Sequence, residues 1–147
     1  MDRKIVPDVV SGQTLASLTP DDTVRQAAEM MVAHHCSAIL VMQGDKLAGI
    51  FTERDITRRV VASNRNPDTT KLSEVMTPDP DTLSGDDLAG SALERMSERG
   101  YRHLPVVDNG KVIGMVSIRD LYRMAKEMLE ADLRDREAFI FGDGYGH

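Results

Sequence analysis

Residues 49–55 read Gly-Ile-Phe-Thr-Glu-Arg-Asp, and residues 114–120, 65 positions later, read Gly-Met-Val-Ser-Ile-Arg-Asp. In each stretch an apolar segment meets a hydroxyl residue, and Arg-Asp follows two positions further on. The similarity extends without a gap through turn glycines, apolar positions and charged ends, which predicts a tandem repeat of one folding unit. The recurring pairs are Asp21/Asp86, Asp22/Asp87, Ala27/Ala92, Glu29/Glu94, Met31/Met96, Val41/Val106, Lys46/Lys111, Gly49/Gly114, Arg54/Arg119, Asp55/Asp120 and Arg58/Arg123.

The first copy predicts a helix, a hairpin and a second helix. Helical spacing over 24–32 follows capping residues, and the apolar segments 38–42 and 47–51 flank a turn. A helix rich in arginine is predicted over 52–61, and the turn formers at 64–68 link the copies.

The second copy repeats this order with clearer turn signals. Gly100 is expected to end its first helix, and Asn109-Gly110 favours a tight hairpin turn. From Ile118 a helix is predicted towards Arg136, followed by an apolar segment at 138–141 and a Gly-rich tail.

Each copy thus predicts strand, helix, strand, strand, helix, with the helices on one face of a small sheet. The fold class is α+β, with two β-α-β-β-α units packed as a pseudo-two-fold pair, because units of roughly 60 residues are marginal alone. The predicted boundaries are 1–66 for the first repeat with its N-terminal segment, 67–128 for the second, and 129–147 for a helix extension and tail.

Composition excludes several classes of protein. The net charge of −6 argues against a protein that coats nucleic acid. No apolar run approaches the ~20 residues of a membrane span, and the N-terminus does not resemble a signal peptide. The single cysteine, Cys36, agrees with a reducing compartment, so a cytoplasmic location is expected.

The repeated motif and the stretch Tyr-Arg-His-Leu-Pro-Val-Val-Asp at 101–108 resemble CBS domains, over nearly the whole chain. The resemblance implies a Bateman module, which in the family commonly binds adenine nucleotides in clefts between its repeats. It also implies pairing of two chains into a flat homodimer.

Residue chemistry assigns roles within such clefts. A carboxylate can accept hydrogen bonds from both ribose hydroxyls, which suits Asp55 and Asp120. Phosphates need hydroxyl and cationic donors. The resemblance places the adenine base against the backbone of the opposite repeat, and it favours the Ser117/Asp120 cleft for phosphate because the first copy has uncharged residues where the second has Arg102 and His103. The expected phosphate donors are Thr52, Ser117, Arg54, Arg119, Arg102 and His103. The expected contacts to the base are Cys36, Ser37 and Ala38 in the Ser117/Asp120 cleft, and Tyr101, Arg102 and His103 in the Thr52/Asp55 cleft.

Simpler interpretations remain open. An acid at a helix start is favoured by the helix dipole whether or not a ligand exists. His34, His35 and Cys36 are adjacent and point in different directions, so no metal site is predicted. No base is recognisable near Cys36, and neither a P-loop nor a Rossmann glycine motif is present.

The expected function is an adenine-nucleotide-binding regulatory module that senses energy or redox state through AMP, ATP or NAD(H). No enzymatic activity, catalytic cofactor, nucleic acid or membrane is expected, and an effector protein is the expected partner. The alternative is a structural dimerisation module without a physiological nucleotide. A third hypothesis is an enzyme that uses Cys36 or a nucleotide.

Overall fold

The computed structural model describes residues 3–10 and 15–144, with side chains as far as residue 140. In the first repeat, β1 (Ser17–Leu18) precedes α1 (Val24–His34), β2 (Ala38–Gln43) and β3 (Lys46–Thr52). A short helix α2 (Glu53–Asp55) continues as wider helical turns over Ile56–Val61, and α3 (Leu72–Val75) and β4 (Thr77–Pro78) follow. The second repeat contains α4 (Ala89–Arg99), β5 (His103–Asp108), β6 (Lys111–Ser117) and α5 (Ile118–Gly144).

The predicted hairpins and helices are confirmed, and local chemistry explains their ends. Thr23 caps α1 by accepting a hydrogen bond from the backbone of Gln26, whose side chain binds Thr23 in return. Gly100 ends α4 with a φ of 73°, which costs a glycine little. Asn109 and Gly110 both have positive φ, as a tight hairpin turn requires.

The first sheet has the order β1-β2-β3-β4, and the second hairpin pairs β5 with β6. Leu83, the counterpart of Leu18 in β1, forms a single parallel bridge to Val106, so the first strand of the second unit is reduced to one residue. β4 comes from the segment between the repeats and pairs with β3. A side chain at Gly49 would lie 2.7 Å from both the Met76 sulfur and the Thr77 carbonyl oxygen, so β4 can approach β3 only because this residue is glycine.

The fold contains two separate apolar cores, one for each repeat. Each core is completed by the segment that precedes the other repeat. Ile5 and Val10 from the N-terminus are buried in the second core, and Leu72 and Val75 are buried in the first.

Backbone hydrogen bonds hold these exchanged segments in equivalent ways. Ile5 N donates to Asp87 O at 2.8 Å, and Leu72 N donates to Asp22 O at 2.8 Å. Since Asp22 and Asp87 are equivalent in the repeat, the two halves have exchanged the same element. The boundaries at 66 and 128 stay a prediction.

α5 is longer than predicted. It continues through 138–141, where no proline or glycine interrupts it, and ends at Gly144. The last three residues of the predicted tail, 145–147, lie outside the described residues. No described helix combines the length and apolar character that crossing a membrane demands.

Candidate ligand-binding site

A cavity of about 890 Å³ lies between the repeats at the C-terminal end of β3. Its walls come from the β3–α2 junction, from the segment around β4, and from the residues that connect α4 to β5. The lining includes Ser37, Ile50, Thr52, Glu53, Arg54, Asp55, Thr57, Arg58, Arg59, Thr77, Pro78, Asp79, Pro80, Asp81, Arg99, Gly100, Tyr101, Arg102, His103, Leu104 and Arg119.

The hydroxyl and the acid of each repeated motif form a reciprocal cap at the start of the following helix. Thr52 N donates to Asp55 Oδ2 at 3.0 Å, and Asp55 N donates to the Thr52 hydroxyl oxygen at 3.2 Å. Ser117 and Asp120 form the same pair of bonds at 2.9 and 3.1 Å. One oxygen of each carboxylate is thus engaged in local structure in both copies.

The second carboxylate oxygen faces an arginine one turn later. Asp55 Oδ1 lies 3.6 Å from Arg59 Nε, and Asp120 Oδ1 lies 4.0 Å from Arg123 Nη1. The Asp55 side chain is 13% exposed and that of Asp120 is 30% exposed. Because Coulombic interactions strengthen away from water, Asp55 is the better placed of the two for a charge-assisted bond to a ligand hydroxyl.

Arg59 connects Asp55 to the segment between the repeats. Its Nη1 donates to the carbonyl oxygens of Val75 at 3.1 Å and Met76 at 2.9 Å. These carbonyls lie at the end of α3, directly before β4. A single guanidinium therefore contacts both the candidate ligand-binding acid and the chain that leads to the second repeat.

Six arginines line the cavity, and three of them have protein partners. Arg54 donates to Gly100 O at 3.2 Å, Arg99 pairs with Asp81, and Arg59 is bound as described. Among the described residues, the guanidinium groups of Arg58, Arg102 and Arg119 have neither a hydrogen bond nor an ion pair. These three groups are available to an anion.

His103 contacts the first repeat through its imidazole ring. One ring nitrogen, Nε2, lies 2.9 Å from the Ser37 hydroxyl across the two repeats. Burial lowers the pKa of His103 below its usual value of 6.5, and nearby Asp120 opposes this effect only in part. Burial thus disfavours the charged ring, and the cationic role expected for His103 stays a prediction beside this hydrogen bond.

The structure distributes the predicted site residues unequally. Ser37, Thr52, Arg54, Asp55, Tyr101, Arg102, His103 and Arg119 line the cavity, whereas Ala38, Ser117 and Asp120 do not.

The preference for phosphate in the Ser117/Asp120 cleft stays a prediction, because Arg102 lines the cavity that contains Asp55 and the opposite cleft is described only in part. In the opposite cleft, residues 12–16 of the first copy are equivalent to the cavity wall at 77–81. Of these, 12–14 lie outside the described residues.

A family model for the CBS domain matches residues 3–62 and 72–127. The chain belongs to the CBS domain family. Among CBS proteins, CBSX3 of Arabidopsis thaliana, a mitochondrial CBS domain-containing protein, is 35% identical over 132 residues, or 86% of this chain. The chain spans 64% of the length of CBSX3 and 21% of CBSCBSPB2 from the same plant, to which it is 40% identical over 111 residues.

Solved CBS structures share the fold. A CBS-domain protein of Burkholderia ambifaria has a TM-score of 0.80 at 34% identity, over 84% of this chain and 93% of that one. The CBS domain protein PAE2072 of Pyrobaculum aerophilum, solved in complex with AMP, has a TM-score of 0.70 at 26% identity, over 77% and 86% of the two chains. The tandem α+β CBS fold predicted from the repeat is confirmed.

Arg58 and Arg59 are two of the cavity-lining residues that the prediction did not include. Arg58 and Arg59 follow Asp55 by three and four positions on helical turns, so they share its face. That spacing was visible in the sequence. A solvent-exposed charged helix face has the same spacing. Only the position of α2 beside the cavity distinguishes such a face from a ligand-binding one.

Proposed function

We propose that this CBS pair binds an adenine nucleotide in the cavity beside Asp55. One observation carries the proposal: the same cavity holds a buried carboxylate with an oxygen outside its cap and three guanidinium groups without a partner among the described residues. A nucleotide complements this arrangement, since its ribose offers two adjacent hydroxyl donors and its phosphates accept from arginine. The Thr52 hydroxyl and Tyr101 lie on the same walls.

The size of the cavity and the comparisons support the proposal. A volume of about 890 Å³ is within the range of small-molecule sites, roughly 300–1,000 Å³. PAE2072, at 26% identity, was solved with AMP. AMP, ATP and NAD(H) each combine a ribose with phosphate, and all three are candidate ligands.

Arg59 offers a route from ligand binding to regulation. Ribose hydroxyls that bind Asp55 Oδ1 compete with Arg59, which also holds the carbonyls of Val75 and Met76. Weakening the contact between Asp55 and Arg59 changes how Arg59 binds the two carbonyls of the segment before β4. A ligand shifts such an equilibrium only by its different affinity for the two arrangements. In this proposal a cytoplasmic effector protein binds the altered surface, and the module itself catalyses no reaction.

Calorimetry with AMP, ADP, ATP, NAD, NADH and adenosine tests the proposal, with Asp55→Asn as the variant and Asp120→Asn as the matched control. Asparagine keeps the acceptor for the Thr52 cap and removes the charge. We expect Asp55→Asn to weaken nucleotide binding by at least ~1.5 kcal/mol, or over tenfold, with the melting temperature of the free protein little changed. Loss in Asp120→Asn alone, or no binding by any of the six compounds, contradicts it.

A second candidate function is a structural dimerisation module without a physiological nucleotide. Its motivation is the set of exposed apolar side chains on α5. A dimer whose mass and melting temperature do not respond to any of the six compounds favours this function.

A further inference from the structure

His103 lies where the two repeats meet at the wall of the cavity. It is the first residue of β5, and its register partner in β6 is Ser117. Its Nε2 lies 2.9 Å from the hydroxyl oxygen of Ser37, which belongs to the first repeat. Both His103 and Ser37 line the cavity. A change in the charge of this ring therefore affects the cavity and the contact between the repeats together.

The contact with Ser37 is compatible with either charge state of the imidazole. A hydroxyl group can donate a hydrogen bond to the unprotonated nitrogen of a neutral ring, or accept one from the N–H of a protonated ring. The hydroxyl hydrogen rotates to suit either arrangement. His103 can therefore gain a proton without losing its hydrogen bond across the repeats, and the cost of that proton arises from the surroundings of the ring.

The surroundings of His103 oppose the protonated ring. Burial has the largest effect and lowers the pKa of His103, Asp120 acts in the opposite direction, and Arg102 lowers the pKa again. Asp120 is already engaged, because its Oδ2 accepts from the Ser117 amide and its Oδ1 lies 4.0 Å from Arg123. Arg102, which directly precedes His103, is the neighbouring cation that repels the proton.

Other charged side chains near the ring come from two directions. Arg119 lies at the start of α5, and Glu53, Arg54 and Asp55 lie at the start of α2 in the first repeat; all four line the cavity. Arg54 is bound to the Gly100 carbonyl, and Asp55 is held by its cap and by Arg59. Arg102 and Arg119 have no hydrogen bond or ion pair within the described part of the chain, so a phosphate can pair with both.

A phosphate in the cavity changes the balance at His103 in two ways. When it pairs with the guanidinium of Arg102, it offsets the positive charge that disfavours a proton on the neighbouring ring. It also adds a negative charge to the cavity that the ring lines, and a nearby negative charge favours a protonated imidazole. Both effects raise the pKa of His103 in the complex relative to the free protein.

We propose that His103 takes up a proton when a phosphate-bearing ligand binds in the cavity. The proposal rests on the proposed nucleotide site and adds a regulation to it: a given concentration of nucleotide occupies more of the protein as the solution becomes more acidic. The contribution of His103 to affinity grows as the pH falls through the pKa of the complex, and it is complete below the pKa of the free protein. Because one ring takes up at most one proton, this contribution stays below about tenfold per pH unit.

The ligand's own phosphate titrates in the same region and acts in the opposite direction. A phosphate monoester has a second pKa of about 6, and its protonated form carries less charge for the arginines. The pH dependence of affinity alone would combine the two effects. A variant that lacks the imidazole separates them, because the phosphate titrates in the same way with both proteins.

Calorimetry of AMP binding to the full chain, in two buffers of different ionisation enthalpy at pH 7.0, measures the protons taken up. The variant is His103→Gln, whose amide can keep a hydrogen bond to Ser37 but does not titrate. We expect AMP to bring a larger proton uptake in the unaltered chain than in His103→Gln, and adenosine, which has no phosphate, to bring the same uptake in both. Equal uptake with AMP in the two proteins overturns this proposal and leaves the nucleotide site in place. Failure of AMP to bind the unaltered chain overturns both.

Proton NMR of the imidazole rings gives a second measurement that needs no affinity for the variant. The His103 signal is identified as the one that His103→Gln lacks. We expect it to titrate at a higher pH with saturating AMP than without AMP. His34 and His35, exposed at the C-terminal end of α1 and outside the cavity lining, are internal controls whose signals should not respond to AMP. A His103 signal that titrates at the same or a lower pH in the complex overturns the proposal.

Discussion

Asp55 combines a structural and a candidate binding role in one carboxylate. Its Oδ2 accepts the Thr52 amide and so starts α2, while Oδ1 lies toward Arg59 and the cavity. Asp120 makes the same cap. The repeated motif is therefore explained locally by helix capping in both copies. The neighbours of each acid, above all the arginines around Asp55, determine whether a ligand can use it.

Replacing Arg102 by alanine should separate phosphate binding from nucleoside binding. Its guanidinium has no partner among the described residues, so its loss leaves no buried acid unpaired. We expect Arg102→Ala to weaken AMP and ATP about tenfold while adenosine binds as before, because charge-assisted hydrogen bonds contribute ~1.5–3 kcal/mol. Calorimetry measures both. Equal losses for adenosine and AMP indicate a general defect of the cavity instead.

His103 should make the folded protein sensitive to mild acid. Burial lowers its pKa in the folded state below the 6.5 of the unfolded chain, so the unfolded chain binds more protons between these values. Stability from the neutral ring is present above pH 6.5 and is lost as the pH falls through the folded-state pKa. We expect the melting temperature to decrease from pH 7.5 to 5.5, and to decrease less in His103→Gln. Identical pH profiles for the two proteins contradict this role.

At the scale of elements, the cavity depends on short contacts between β3 and the segment that follows α3. β4 contributes only Thr77 and Pro78, yet it brings the wall at 77–81 against the end of β3. Gly49 permits this approach because the place of its absent side chain is occupied by Met76 and the Thr77 carbonyl.

Gly49→Ala should displace β4. The new methyl group would meet a backbone oxygen at 2.7 Å, and backbone cannot move aside as a flexible side chain can. We expect a loss of about 1–3 kcal/mol in the free energy of unfolding, measured by urea denaturation, together with weaker nucleotide binding. Unchanged stability and affinity would show that β4 shifts at no cost.

At the scale of the whole molecule, the exchange of segments joins the two repeats more firmly than a linker would. Ile5 and Val10 belong to the second core, although more than 70 residues of chain separate them from most of its members. Leu72 and Val75 complete the first core from the opposite side. Neither repeat has a full core when cut at the linker, so we expect the fragments 1–66 and 67–147 to remain unfolded separately.

Ile5→Ala should destabilise the second repeat more than the first. Ile5 is fully buried, and removing a large buried side chain typically costs 2–5 kcal/mol. We expect amide hydrogen exchange to accelerate first in β5 and β6, while β2 and β3 keep more protection. Leu72→Ala is the matched variant and should show the reverse order. Equal acceleration in both hairpins, in both variants, would mean that the cores unfold only together.

The sequence by itself determined the repeat, the hairpins, most helix bounds and the family. These features depend on contacts within a few residues, such as the Asn109-Gly110 turn and the Gly100 helix end, so periodicity and turn chemistry reveal them. The identities of eight cavity-lining residues followed from the same motifs.

Only the tertiary structure decided which residues act together. It brought Arg58, Arg59 and Arg102 into one cavity with Asp55, lowered the pKa of His103 by burial, and exchanged the Ile5 and Leu72 segments. Each depends on contacts between distant parts of the chain or on burial. A side chain has the same identity in the sequence whether water or another repeat surrounds it, and the surroundings determine its charge and partners.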